Sequence, residues 1–175
     1  MNIVWLGEKN CCDAKIVGAK SANLSSLFED NNVPPGFVIT NLSPNVINEA
    51  SSNPYTPDFP APSLTKLSKA YERLCGEIPK IELPLAVRSS SIAEDTKESS
   101  FAGQYETYLN VVGIENLGKA ILTCMKSMTS ERVITYRNFK GVPPLNRFMP
   151  VLVQKLIHAE ISAVVFSVNP ITGNR

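Results

Sequence analysis

The chain has a single histidine, four cysteines with no C-x-x-C pair, no excess of either charge and no long apolar run. Each shortage closes off a class of function. Cys11 and Cys12 are adjacent while Cys75 and Cys124 stand apart, and no histidine lies near them to complete a zinc set. Ordinary reduced thiols are expected. With 17 Lys+Arg against 16 Asp+Glu over 175 residues, the chain lacks the field of a general nucleic-acid or membrane-surface binder. No apolar stretch approaches the roughly 20 residues that span a bilayer. The opening Met1 to Gly7 is too short and uncharged for a signal peptide, so a cytoplasmic protein is expected. There is no internal repeat, and the G-x-x-x-x-G-K-[ST] spacing of a Walker A loop is missing.

What is present fits a globular fold: 43% hydrophobic residues, 19% charged, and enough length for one substantial core or for a domain plus part of a second. Ile3 to Leu6 reads as a strand with a turn at Gly7. From Gly18, the residues Ala19, Ala22, Leu24, Leu27 and Phe28 recur at helical spacing and stop before Pro34-Pro35-Gly36. Phe37 to Thr40 reads as a buried strand, and Asn41 to Ser43 can cap a helix carrying Val46, Ile47 and Ala50. Residues 51–63 hold four prolines and read as a connector. A helix through Leu64, Leu67, Tyr71 and Leu74 stops at Gly76, followed by strands over 83–88 and 105–111, with a turn at Gly113. Helices over 114–128 and 130–139, strands over 150–157 and 162–168, and a turn over Asn169 to Gly173 complete the pattern. Helices and strands alternate without the regular period of a parallel sheet, so the expected class is α+β. The expected organisation is one lobe over 1–149 and the beginning of a second over 150–175.

The stretch most suggestive of chemistry runs from Ala86-Val87-Arg88-Ser89-Ser90-Ser91 to Phe101-Ala102-Gly103-Gln104 and Thr107. An apolar strand ends there on an arginine and enters a loop of hydroxyls, backbone N–H groups and a glycine, the groups that hold a polyphosphate. A salt bridge from Arg88 to Glu94 or Asp95 is the plainer reading, and serine-rich loops also occur in proteins that bind nothing. Lys20 lies on the first turn of a helix, where the N–H groups and the dipole favour an anion; a solvated lysine is the plainer reading. Gln154 interrupts an apolar strand with an amide that can read the edge of an adenine, or it simply faces outward. Glu94 and Asp95 are a carboxylate pair of the kind that holds magnesium beside phosphates, or a solvated loop. His158 has no nucleophile loop around it.

Five blocks occur in a fixed order: Val17-Gly18-Ala19-Lys20-Ser21-Ala22-Asn23-Leu24, Val33-Pro34-Pro35-Gly36-Phe37, Ala86 to Ser91 with Ala93-Glu94-Asp95, Ser100 to Gln104 with Thr107 and Leu109-Asn110-Val111, and Val153-Gln154 with Asn169-Pro170. Together they resemble the N-terminal nucleotide-binding domain of the phosphoenolpyruvate synthase and pyruvate phosphate dikinase family, a domain that rifampin phosphotransferases share. The resemblance spans nearly the whole chain. It implies an ATP-grasp fold with ATP held between two α+β lobes. It also implies an enzyme of the ATP-dependent phosphotransferase class. In that family the positions of Lys20 and Arg88 contact phosphates and are carried over here as catalytic. The loop of Ser89, Ser90, Gly103 and Gln104 covers the phosphates, Thr107 lies near the nucleotide, and Gln154 lies at the adenine. The family passes phosphate from ATP to a histidine on a separate domain and on to pyruvate or, in the antibiotic-modifying branch, to a drug hydroxyl.

Two departures are small: Gly18-Ala19-Lys20 stands where the family has Gly-Gly-Lys, and Ser162-Ala163-Val164 where it has Ser-Gly-Val. The resemblance further implies that magnesium ligands, the phosphohistidine domain and the acceptor domain lie beyond residue 175, and that His158 is not the phosphorylated histidine. The expected function is the ATP-binding part of a phosphoenolpyruvate synthase-like phosphotransferase, inactive alone. A fragment of an antibiotic kinase, or a non-catalytic nucleotide-sensing or docking module, are the alternatives.

Overall fold

Five of the apolar runs hydrogen-bond into one antiparallel sheet in the order β1-β2-β7-β3-β6. These strands are β1 (Asn2–Trp5), β2 (Gly36–Thr40), β3 (Leu85–Ser89), β6 (Thr107–Val111) and β7 (Val151–Lys155). A computed structural model describes residues 1–42, 61–76, 83–91, 95–96, 99–100, 106–127, 130–141, 149–161, 163, 165–169 and 171–174. The expected helix carrying Val46, Ile47 and Ala50 and nearly all of the proline-rich connector lie outside these residues. The helices are α1 (Ala14–Val17), α2 (Ala19–Ser26), α3 (Ala61–Cys75), α4 (Ile114–Lys126) and α5 (Glu131–Lys140). The α+β class is as expected, with every pairing antiparallel.

Alternation along the strands gives the sheet two different faces. On one, Phe37, Ile39, Leu85, Val87, Val111, Val151 and Val153 form the main core with Leu67 and Leu74 of α3, Leu117 and Ile121 of α4, and Val133 of α5. On the other, Val38 and Leu152 meet Leu6, Cys11, Val17 and Ala22 in a much smaller cluster roofed by α1 and α2. Trp5 closes one end of the main core, with its ring 5.3 Å from that of Phe37 and the Arg73 guanidinium stacked 4.0 Å from its centroid.

Three local details depart from the sequence reading. The last residues of the expected connector, Ala61 to Ser63, form the first turn of α3; Pro62 is tolerated there because first-turn N–H groups have no partner inside the helix. Pairing of β3 with β6 shifts between Leu85↔Val111 and Val87↔Tyr108, so β6 carries one extra residue. Asn110 takes φ 59° at this bulge, which lets Tyr108 and Val111, three apart, both face the main core. The stretch between Arg88 and Thr107 also contains a two-residue ribbon, β4 (Asp95–Thr96) against β5 (Ser99–Ser100).

Two further observations concern the end of the chain. β7, expected to open a second lobe at residue 150, lies inside the sheet between β2 and β3. Its three successive core residues, Val151, Leu152 and Val153, are fully buried, as a strand covered on both faces requires. Of the strand expected over 162–168, the described residues Ala163 and 165–168 lie outside any strand, and Val165 and Phe166 are 89% and 63% exposed. The turn after it is present, closed by Asn169 Oδ1 accepting from the N–H groups of Ile171 and Thr172 at 2.9 and 3.1 Å.

All four cysteines are free thiols. Cys11 and Cys124 are fully buried, whereas Cys12 is exposed. Desolvation raises the pKa of Cys11 and suppresses its thiolate. A thiol reagent at neutral pH is therefore expected to modify Cys12 first, and Cys11 and Cys124 only on unfolding. Mass spectrometry of the labelled chain checks this, and modification of all four at one rate would contradict the packing.

Candidate functional site

The smaller, more polar face of the sheet gathers the residues singled out for phosphate chemistry. Val4, Val38, Leu152, Arg88 and Thr107 are direct cross-strand partners in sequence, so they form one row across the sheet on one face. Leu152 and Val38 lie under α1 and α2. Arg88 continues that row toward the β6 edge, half-buried, with exposed Thr107 beside it. The Arg88 side chain makes no hydrogen bond or ion pair with a described residue. Glu94 is outside the described residues, and Asp95 begins β4.

The second cation comes from α2. Lys20 Nζ donates to the carbonyl of Ser89 at 2.9 Å, which anchors the ammonium at the end of β3, one residue beyond Arg88. Ser21 follows the same strand: its N–H and its hydroxyl both donate to Ser90 Oγ, at 3.0 and 2.8 Å. Ser90 in turn continues the sheet by donating its N–H to the Pro150 carbonyl at 2.9 Å. Ser21, Ser89 and Ser90 are all buried to within 1%. Sequence reasoning treated the start of α2 as an open set of N–H donors. The Ser21 N–H is instead capped from another element, by a serine 69 positions away.

Gly18 makes this junction possible. It sits between α1 and α2 with φ 80° and ψ 160°, a region that is essentially confined to glycine. A Cβ there would lie 1.7 Å from the Ser90 carbonyl oxygen and 2.6 Å from its hydroxyl. The G-A-K block and the R-S-S block, far apart in sequence, are thus in direct backbone contact.

The other candidates divide. Ser89 pairs with Val151, so its side chain points to the main-core face, opposite to Arg88. Gln154 pairs with Ala86 and Gly36, in the next row on the face of Arg88. It is only 6% exposed, and its Nε2 donates to the Pro34 carbonyl at 2.8 Å. Among the described residues none donates to its Oε1. The Val33-Pro34-Pro35-Gly36 block therefore packs against Gln154, and a Cβ at Gly36 would come within 3.1 Å of the Gln154 side chain. His158 is exposed beyond β7. Gly103 and Gln104 lie outside the described residues, which also contain no group of three potential metal ligands. Ser21 and Pro34 were missed as partners in the site. Their positions inside the ordered blocks were the available signal, but the sequence does not show which residue of another block each one meets.

Gly18→Ala is expected to destabilise the fold by at least about 1–3 kcal/mol from backbone strain alone, with the collision against Ser90 added. Gly76→Ala is the control, since Gly76 also has a positive φ but open space around it. Urea unfolding of the two variants checks this, and equal losses would show that the contact with Ser90 carries no weight.

The chain was compared with known proteins. Residues 45–175 match the family model described as "Pyruvate phosphate dikinase, AMP/ATP-binding domain". The chain is 33% identical to a probable phosphoenolpyruvate synthase of Methanocaldococcus jannaschii, over 98% of this chain and 17% of that protein. It is 32% identical to a probable phosphoenolpyruvate synthase of Archaeoglobus fulgidus, over 100% of this chain and 27% of the relative. It is 37% identical to the phosphoenolpyruvate synthase of Pyrococcus furiosus over 67% of this chain and 14% of that protein. The chain therefore spans less than a third of the length of these relatives. With three quarters of its residues inside the family match and a relative 33% identical over 98% of its length, the chain belongs to the pyruvate phosphate dikinase AMP/ATP-binding domain family.

Proposed function

We propose that this chain is the ATP-binding part of a phosphoenolpyruvate synthase-type phosphotransferase, and that it holds the phosphates of ATP over the polar face of its sheet. The observation that carries this reading is the placement of Arg88 and Lys20. One is a permanent, planar cation in the cross-strand row, and the other is an ammonium anchored on the adjoining residue of the same strand. Two fixed positive charges backed by a small apolar cluster suit a triphosphate, because in phosphoryl transfer the protein contributes mainly position and charge. Thr107, exposed next to Arg88, completes the row on the nucleotide side. Gly103 and Gln104 belong to the same proposal as the loop that covers the phosphates.

Gln154 is assigned to the base. With Nε2 held by Pro34, Oε1 is oriented as an acceptor, which suits the amino group of an adenine. Magnesium belongs to the proposal as the ion that offsets phosphate charge. Its ligands are assigned, as the family resemblance implies, to polypeptide beyond residue 175. The proposed architecture is one lobe of an ATP-grasp fold that extends through Lys155, with a second lobe after it. Support comes from residues beyond β7: Ile157, Ile161, Val165, Phe166 and Ile171 are each at least 63% exposed, which is unusual unless such side chains pack on another surface. In the full reaction a histidine on a separate domain takes the phosphoryl group and delivers it to pyruvate, in the cytoplasm. No described helix is long and apolar enough to cross a membrane.

Titration calorimetry tests the reading. The chain is expected to bind ATP weakly and to show no turnover alone, and Arg88→Ala is expected to weaken binding by about 1.5–3 kcal/mol, roughly 10- to 150-fold in Kd. An unchanged affinity in Arg88→Ala would remove the phosphate role and leave a docking module.

A further inference from the structure

We propose that Ser21 and Ser90 form a latch that positions Lys20, and that the Ser90 hydroxyl acts through that helix without touching the phosphates itself. The inference rests on the ATP reading only for the purpose of the latch, because the contacts are properties of the fold. Two successive residues of α2 bond two successive residues of the β3 end, Lys20 to Ser89 and Ser21 to Ser90. Such a pair of contacts fixes both the rotation of the helix about its axis and its position along the strand. A slip of one residue would turn a helical side chain by about 100° and carry the ammonium off the Ser89 carbonyl.

The Ser90 side chain is buried against α2. It is 0% exposed, and its oxygen accepts from both the N–H and the hydroxyl of Ser21, which fills the two lone pairs of a serine. Gly18 lies against its backbone, so no ligand reaches it from that side. Another polar contact of α2 lies near the other end of the helix, where Ser25 Oγ accepts from Gly7 N at 2.9 Å. Val17 and Ala22 add apolar contact to Val38 and Leu152, but such contact is non-directional and does not define the angle at which Lys20 points. The hydroxyl pair supplies direction at the turn that carries Lys20.

Competitive lysine acetylation of the 175-residue chain, read by mass spectrometry, tests the latch without nucleotide, with the exposed Lys66 and Lys69 as internal references. Ser90→Ala is expected to raise Lys20 labelling relative to those references by roughly fivefold, the factor that one net hydrogen bond corresponds to. The Ser21→Ala/Ser90→Ala double variant is expected to add little more. Unchanged Lys20 labelling, or an equal rise at all three lysines, would overturn the latch. Trp5 fluorescence reports folding, and if Ser90→Ala does not fold, Ser21→Ala alone takes its place with the same expectation. A separate arm adds ATP. Protection of Lys20 in the unmodified chain is expected, and its absence would overturn the ATP reading while leaving the latch. Both single variants are expected to bind ATP more weakly; weakening by Ser90→Ala with none by Ser21→Ala would mean that Ser90 touches the ligand directly and would overturn the positioning role.

Discussion

The contact between Gly18 and Ser90 is the constraint on which the rest of the site depends. A helix start and a strand end approach so closely that no side chain fits between them. Once that approach is made, two serine groups and one lysine find partners on the strand without further adjustment. The chain thereby anchors a cation from one segment on the residue that follows a second cation in another. Burial strengthens the arrangement, because hydrogen bonds among groups removed from water have no competing partner.

The two faces of the sheet divide the work. Three helices cover one face and give the fold most of its apolar burial, with Phe37, Leu85, Val87 and Val153 at the centre. The other face has only the small cluster under α1 and α2, so its row of partners ends on Arg88 and Thr107 rather than on more core. A heavily packed layer and a thin one thus lie on opposite sides of the same sheet. Gln154 links the two regions, since it sits on the central strand and holds the Pro34 carbonyl from within the sheet.

Much of this was legible in the sequence. The apolar runs at 37–40, 85–87 and 151–153 announced strands, and Gly76 and Gly141 stopped α3 and α5 where a helix must end. The ordered blocks announced the family. Local pattern could not give the partnering. Val151 to Val153 reads the same whether the strand opens a new lobe or completes an old sheet, because burial on both faces erases alternation. Residues 162–168 have strand composition without a described partner strand, and composition alone does not form one. Ser90 has the residue type of a phosphate ligand, but its environment makes it a cap for a helix 69 positions away. Arg88 and Lys20 stand out in the sequence because a cation at a strand end or a helix start carries its chemistry with it, whereas a hydroxyl serves structure and ligand equally well and its partner cannot be read from residue type.

The central claim is that the polar face of the sheet receives ATP across Lys20, Arg88 and Thr107. Nuclear magnetic resonance of the isotopically labelled chain, titrated with ATP, tests it most directly. The account predicts shift changes that cluster at the amides of Ala19 to Ser21, Arg88 and Thr107, with the α3 and α4 amides around Leu67 and Ile121 unmoved. Changes centred on those helices instead, or none at millimolar nucleotide, would contradict it.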